Sequence, residues 1–382
     1  MQQKQYDVVV CGGGIAGVAA AIAAARQGAK TVLIEKQCLL GGLATSGLIY
    51  IYLPLCDGNG RQLTFGLAEE MLKRCVEYGP FEVPELWGGP QGGNPGISGD
   101  RYQCCFSPAG FTLTLDKMLE EAGVELWLDT TIIDVQKNNG KIESVDVSNY
   151  SGIIRITGKC FVDATGSSYI AKSAGSEVIA EKNYVTPWIM EMREDSSFFH
   201  FTESLHVQPL GRLQSEYEIS PGYDGRKVTD FIRRSWQITR KHYDQFPKTE
   251  RIKNYPVHLP AMPQIRKIAR IDALVNLTDN DVGKTFDHPV GMAGNWIKPD
   301  AGWTVPYEAL VPKDLDGLLA AGRCIGAEGL AWEICRVIPT AAMTGEAAGV
   351  AAALCASNNL NPRMLPYETL KTQLHSLPDE LK

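Results

Sequence analysis

The 382-residue chain lacks the marks of several protein classes. Its net charge of −7 leaves no basic excess, which argues against a surface for nucleic acid or an anionic membrane. Its ten cysteines show no C-x-x-C or C-x-x-x-x-C spacing and no cysteine–histidine spacing of a zinc site, so we expect no metal centre. No lipidation or targeting signal stands out, and the expected location is cytoplasmic.

The composition is that of a globular protein, with 44% hydrophobic and 21% charged residues. Its length predicts two structural domains. Residues 8–25 are apolar enough to resemble a signal peptide or membrane span. Four glycines within them and Asp7 before them argue against both.

The most informative segment is residues 8–35, VVVCGGGIAGVAAAIAAARQGAKTVLIE. It predicts a buried strand, an alanine-rich helix and a second strand, with Gly12, Gly14 and Gly17 in G-x-G-x-x-G spacing. Gly12 permits the turn, Gly14 leaves room for a pyrophosphate beside the helix N-terminus, and Gly17 allows close packing. Glu35, placed after the second strand, can accept hydrogen bonds from a ribose. A carboxylate there favours FAD or NAD over NADP.

The rest of the chain predicts further regular elements and one insertion. The predicted helices are 64–78, 111–122, 230–246 and 339–356, and the predicted strands are 124–128, 131–136, 141–148, 153–162 and 318–322. The tract at 138–140 predicts a tight turn, and the Gly- and Pro-rich residues 87–101 predict a loop. Residues 188–300 change in character, which predicts an inserted substrate or cap domain. The cofactor-binding domain is then discontinuous, 1–187 and 301–382.

Three later segments carry a resemblance to a known family. They are LLGGLATSGL at 39–48, the strand ending in Ala-Thr-Gly at 164–166, and GRC followed by RVIPT and GEAAG between 322 and 349. With the opening motif they resemble the FAD-dependent oxidoreductase family of the glutathione-reductase-like, two-dinucleotide-binding flavoproteins. The resemblance implies an α/β fold: a Rossmann-like FAD-binding domain of the glutathione-reductase-like ββα type with an inserted α+β cap.

The resemblance also implies which residues bind FAD. They are Gly12, Gly14, Ile15, Ala16, Gly17, Glu35, Lys36, Gly42, Leu43, Ala44, Thr45, Ile132, Ala164, Thr165, Gly166, Gly322, Arg323, Ile338 and Thr340. Ile132 would lie near the adenine. The helix beginning at Ile338 would point its N-terminus at the flavin and stabilise negative charge there.

The chain has no second G-x-G-x-x-G for a separate NAD(P)H domain, which argues against a disulfide reductase fed directly by NADPH. We expect hydride transfer between a small organic substrate and FAD, with electrons passing to oxygen or an acceptor protein. The resemblance implies Arg336, just before the helix that would face the flavin, as the first catalytic candidate. Its guanidinium could bind a carboxylate or polarise a carbonyl. Arg266 and Arg270, spaced i, i+4, could share a helix face in the site or form a solvated charged stripe.

Two alternatives remain at this point. The same scaffold could bind NAD, as thiazole-forming proteins of similar fold do, or the chain could be a non-catalytic, flavin-stabilised binding protein. A homo-oligomer is compatible with the sequence.

Overall fold

The computed structural model describes residues 2–87, 101–193, 205–210, 218–219 and 222–382. Its α-helices are α1 (Ile15–Arg26), α2 (Leu67–Arg74), α3 (Pro108–Ala122), α4 (Tyr169–Ser173), α5 (Gly225–Asp244), α6 (Gly329–Cys335), α7 (Ile338–Asn358) and α8 (Tyr367–Lys371). Its strands are β1 (Gln2–Cys11), β2 (Thr31–Ile34), β3 (Ile51–Tyr52), β4 (Cys104–Cys105), β5 (Glu125–Trp127), β6 (Thr131–Asn138), β7 (Lys141–Asn149), β8 (Gly152–Asp163), β9 (Val178–Ile179), β10 (Asn183–Tyr184), β11 (Trp188–Met192), β12 (Leu205–Pro209), β13 (Glu218–Ile219), β14 (Tyr255–His258), β15 (Arg270–Ile271), β16 (Pro289–Ala293), β17 (Trp303–Pro306) and β18 (Leu318–Ala320).

The main sheet has the strand order β5-β2-β1-β8-β7-β6, and β18 also pairs with β8. Strands β5, β2, β1, β8 and β18 are parallel, whereas β6 and β7 form an antiparallel meander on β8. The long strand β8 serves both parts: residues 152–157 pair with β7, and residues 161–163 pair with β18. The predicted α/β class with a Rossmann-like parallel core is confirmed.

Successive residues of β1 point to opposite faces of this sheet, as the period of a strand requires. Val8 and Val10 belong to one hydrophobic core, and Val9 and Cys11 belong to the other. The first core includes α1 and α7. Because both faces are covered, the strand is apolar from Val8 to Cys11.

Helices α1 and α7 pack with their backbones in close approach. A Cβ atom on Gly345 would lie 2.2 Å from the carbonyl oxygen of Ala16, and one on Gly349 would lie 2.1 Å from that of Ala20. Only glycine at these two positions lets the helices lie this close. Helix α7 is long and apolar enough to cross a membrane, but 89% of its apolar window is buried inside the protein, as in a core helix.

Local signals set most element boundaries to within a few residues. Helix α3 begins at Pro108, before the predicted residue 111, because the Ser107 hydroxyl accepts from the Gly110 amide and proline suits the first turn. Asn139 and Gly140 have φ of 48° and 79°, as in a type I′ turn. Helix α2 is shorter than predicted. Most of the loop predicted at 87–101 lies outside the described residues.

The segment after residue 188 contributes a second sheet and α5. Strands β12, β11 and β14 form an antiparallel sheet, and α5 packs through Phe231 against Val185 and Ile265. From β15 onward the chain rejoins the main cores, since β15 pairs with β9 and Val290 lies in the first core. The division of the chain at 188 and 300 stays a prediction.

Candidate active site

A glycine elbow joins β1 to α1. Gly12 has φ of +104°, and its amide donates to the carbonyl of Ile34 at 2.8 Å. A Cβ on Gly17 would lie 1.8 Å from the carbonyl oxygen of Gly12, so the first turn of α1 packs directly on the elbow. Gly14 is the N-cap of α1, and no side chain caps this helix. The amides of the first turn are thus free to bind an anion.

The carboxylate of Glu35 is fixed beside this elbow. It accepts from the Gly13 amide at 2.6 Å and from the Gln37 amide at 2.8 Å, and the residue is 9% exposed. Burial raises the pKa of Glu35, although both amide hydrogen bonds oppose that shift. The carboxylate is therefore held in one orientation, with lone pairs left for a ribose hydroxyl.

A second turn faces the elbow at the end of β8. The fully buried carboxylate of Asp163 accepts from the Thr165 hydroxyl at 2.7 Å and from the amides of Ile170 and Ala171 at 2.9 and 3.1 Å. This one side chain closes the Ala164–Gly166 turn and caps α4. Burial raises the pKa of Asp163, against the effect of these donors.

These elements enclose two cavities that share walls. The main cleft, of about 340 Å³, runs from the elbow to the start of α7. A side cavity, of about 250 Å³, lies between Ile132, Thr131 and Tyr169. Residues lining both are Gly12, Glu35, Lys36, Thr165 and Ser167. The two cavities therefore adjoin and together offer an elongated site.

Most predicted cofactor residues line this site. Those on the main cleft are Gly12, Gly14, Ile15, Ala16, Glu35, Lys36, Gly42, Leu43, Ala44, Ala164, Thr165, Gly166, Gly322, Arg323 and Ile338, and Ile132 lines the side cavity.

Three others, Gly17, Thr45 and Thr340, are not among the lining residues. Gly17 serves packing, while the Thr45 hydroxyl donates to Leu40 and the Thr340 hydroxyl to Ile334. For these three, as for the residues that line the site, the role in cofactor binding stays a prediction.

Arginines gather at the α7 end of the main cleft. Arg336 lines it, and its guanidinium is paired with Glu333, which also pairs with Lys267. Arg323 lines it too and donates to the carbonyl of Ile265 at 2.6 Å. Burial, with Arg336 nearby, lowers the pKa of Arg323 to about 10. This guanidinium remains charged at neutral pH, so the end of the cleft favours an anion.

The helix that both sequence interpretations of Arg266 and Arg270 assume does not form, and a catalytic role for either residue stays a prediction. No helix forms over 264–271, because side chains distant in sequence bond to its backbone. The Lys267 amide donates to the Asn183 side chain, and the Ile265 carbonyl accepts from the Arg323 guanidinium. Arg270 is 2% exposed and is not on the main cleft, with its guanidinium bonded to Asn276 and Glu328.

Arg266 does not line the main cleft, although its neighbour Ile265 does. Burial, Arg336 and Arg323 lower its pKa to about 9. It adds positive charge near the site without being one of the lining residues.

Sequence reasoning missed one wall of the main cleft. It is formed by residues from the predicted insertion, namely Gly222, Tyr223, Val228, Met262, Pro263, Ile265 and Ile268. The Tyr223 hydroxyl donates to the carbonyl of Ser167, across 56 residues of sequence. No local pattern signals such a contact. Among the described residues, no cluster of His, Cys, Asp or Glu suited to a metal ion occurs.

These residues fit FAD. A Cβ on Gly14 would meet no protein atom within 4 Å, so the space above the elbow is open where a pyrophosphate requires it. Free amides of α1, the Glu35 carboxylate and the side cavity provide places for pyrophosphate, ribose and adenine. Helix α7, which also has no side-chain cap, starts at the other end of the cleft. The fold and site define a dinucleotide-binding flavoprotein.

The chain belongs to the FAD-dependent oxidoreductase family, which matches residues 7–183 and 188–374. FAD is therefore its cofactor, and the predictions of FAD and of a flavin redox enzyme are confirmed.

Related proteins include the digeranylgeranylglycerophospholipid reductase of Thermoplasma acidophilum, 28% identical over 190 residues. That match covers 47% of this chain and 44% of the relative. The NADH:fumarate oxidoreductase of Klebsiella pneumoniae is 26% identical over 204 residues, which cover 45% of this chain and 21% of the relative. The chain thus matches less than half the length of these relatives.

A solved structure of similar fold is a geranylgeranyl bacteriochlorophyll reductase-like protein from Thermoplasma acidophilum. The TM-score is 0.51 at 17% identity, with 98% of this chain and 85% of that chain covered. At this identity the likeness shows the fold alone.

Proposed function

We propose that the chain oxidises or reduces a small organic substrate held against FAD at the Arg336 end of the main cleft. The observation that carries this proposal is the presence of Arg336 and Arg323 on the lining beside the start of α7. FAD supplies the two-electron chemistry by taking up or giving a hydride. We also propose that the chain is one of the glutathione-reductase-like flavoproteins. Its electron partner would be oxygen or an acceptor protein.

The protein's part is to bind and to orient. Arg336 donates to Glu333 at 2.7 Å, which fixes the guanidinium while leaving other N–H groups for a substrate oxygen. Glu333 stays ionised because Arg336 and Lys267 lower its pKa despite burial. The uncapped first turn of α7 favours negative charge at the same end of the cleft.

The first experiment asks whether the purified protein carries flavin. We expect a yellow protein absorbing at about 450 nm, and then bleaching of that band by one of a panel of organic metabolites mixed anaerobically. A colourless, folded protein that takes up NAD would favour the NAD-binding alternative instead.

The second experiment replaces Arg336 by alanine. We expect flavin to remain bound and turnover with the identified substrate to fall at least about a hundredfold, as for loss of a charged transition-state contact. Arg226→Ala is the matched control, since it removes an equal charge from the exposed start of α5. Unchanged kinetics in Arg336→Ala would remove this residue from the site.

A further inference from the structure

Two more cavities continue the main cleft away from the elbow. An inner cavity of about 220 Å³ lies under α5, between Phe231, Ile232, Ile189 and the segment 259–264. An outer cavity of about 540 Å³ follows it, between α5 and residues 251–259.

Shared walls show that these spaces adjoin. Met262 and Pro263 line both the main cleft and the inner cavity. Trp236, Thr239 and Leu259 line both the inner and the outer cavity. The three spaces therefore succeed one another from the redox cleft toward the exposed side of α5.

The segment 259–264, which walls the inner cavity, contacts residues of the main cleft at two places. The Ala261 amide donates to the carbonyl of Ser46 at 2.8 Å, so the segment 259–264 lies against residues 42–48. Leu43 and Ala44 of that segment line the main cleft. At the second place, Arg323, which lines the cleft near Arg336, donates to the carbonyl of Ile265, the residue after that segment. A molecule held at Arg336 would thus extend toward the inner cavity.

The hydroxyl and amide side chains of the inner cavity are already paired within the protein. Ser235 donates to the carbonyl of Phe231 at 3.0 Å, and Thr239 to that of Ser235 at 2.9 Å. The Gln264 amide group donates to the carbonyls of Gly47 and Trp188. The remaining lining is mainly aliphatic, aromatic and proline side chains. A polar occupant would lose hydrogen bonds to water there without replacing them, so the cavity favours an apolar one.

We infer that the substrate is elongated: an anionic or carbonyl head at Arg336 carries an apolar body that runs through the inner cavity toward the outer one. This substrate class rests on the proposed function for its head. The path of the body rests on the three adjoining cavities. Arg240, Asp244 and Arg251 on the outer cavity make a charged rim, where the apolar path ends.

Straight-chain carboxylates are suitable probes. With oxidised holoenzyme, calorimetric titration should give an affinity that rises from hexanoate to dodecanoate by about fourfold per methylene, the value for burying a CH₂ group. Equal affinities for the two acids would overturn the inference.

Substitutions on α5 test whether the apolar body of the ligand lies in the inner cavity. Ser235→Phe fills the inner cavity and should bring the dodecanoate-to-hexanoate affinity ratio close to one. Gln237→Phe introduces the same side chain on the exposed face of the helix and should leave that ratio unchanged. Should Ser235→Phe fail to fold, Ile232→Asn, at a half-buried wall position, should lower the ratio by making the wall polar. An unchanged ratio in the folded variant would overturn the path.

The two proposals fail differently. Loss of the proposed function would appear as a protein without flavin, or as Arg336→Ala binding both acids as tightly as wild type. Failure of the path alone would appear as a yellow protein that needs Arg336 for both acids but does not discriminate chain length.

Discussion

Gly14→Ala separates the requirements of the cofactor from those of the fold. Gly14 has φ of −69° and ψ of 177°, which alanine adopts freely, and its Cβ would meet no protein atom within 4 Å. The apoprotein should therefore be as stable as wild type to within about 1 kcal/mol, because the gain from the restricted unfolded chain is opposed by the loss of glycine at the N-cap. With FAD present, the methyl group occupies the space of the pyrophosphate. Overpacking of about 1–3 kcal/mol corresponds to a Kd for FAD that is about 5- to 150-fold weaker.

The assay pairs thermal unfolding of the flavin-free protein with a titration of FAD followed by flavin fluorescence. Gly17→Ala is the matched comparison, because its Cβ would lie 1.8 Å from the carbonyl oxygen of Gly12 and must displace the elbow. That variant should lose stability even without FAD. If Gly14→Ala binds FAD with the wild-type Kd, the pyrophosphate does not lie over the elbow and the reasoning is refuted.

Two other predictions concern single side chains. Cys38 is exposed, whereas Cys105 is partly buried and burial raises its pKa to about 12, so native protein should show one fast thiol toward Ellman's reagent and Cys38→Ser none. More than one fast thiol would contradict this. Burial raises the pKa of Glu191, but hydrogen bonds from His242 and Tyr243 outweigh it and leave the pKa lowered. Its contribution to stability is present above the ordinary carboxyl pKa and lost as pH falls through the lowered value. Glu191→Gln should therefore be about 1–3 kcal/mol less stable than wild type at pH 7 in denaturant unfolding, with a gap that closes in acid; a constant gap would contradict it.

The elbow could be predicted because its causes are local. Gly12, Gly14, Gly17 and Glu35 lie within one strand–helix–strand unit, where spacing alone fixes which backbone approaches which. The α7 end was predictable too, though only through resemblance, since an alanine-rich helix by itself is equally typical of a core.

The insertion could not be predicted at the same level. Residues 264–271 keep an i, i+4 spacing of arginines, but their backbone groups pair with side chains such as Asn183 and Arg323, distant in sequence. Arg323 reaches Ile265 across 58 residues, and Tyr223 reaches Ser167 across 56. Such long-range contacts depend on how the second sheet and α5 pack against the main fold, and the hydrophobic periodicity of the sequence does not predict that packing.

The close approach of α1 and α7 has a mechanical consequence. Both helices begin at the cleft, one at the elbow and one beside Arg336, and Gly345 and Gly349 lock their backbones together behind it. We expect the two helix N-termini to move together, so that these two ends of the cofactor site form one rigid unit. A widening that admits a substrate would then fall to the opposing wall around Tyr223 and Met262, where we expect amide hydrogens to exchange faster than in α1 or α7.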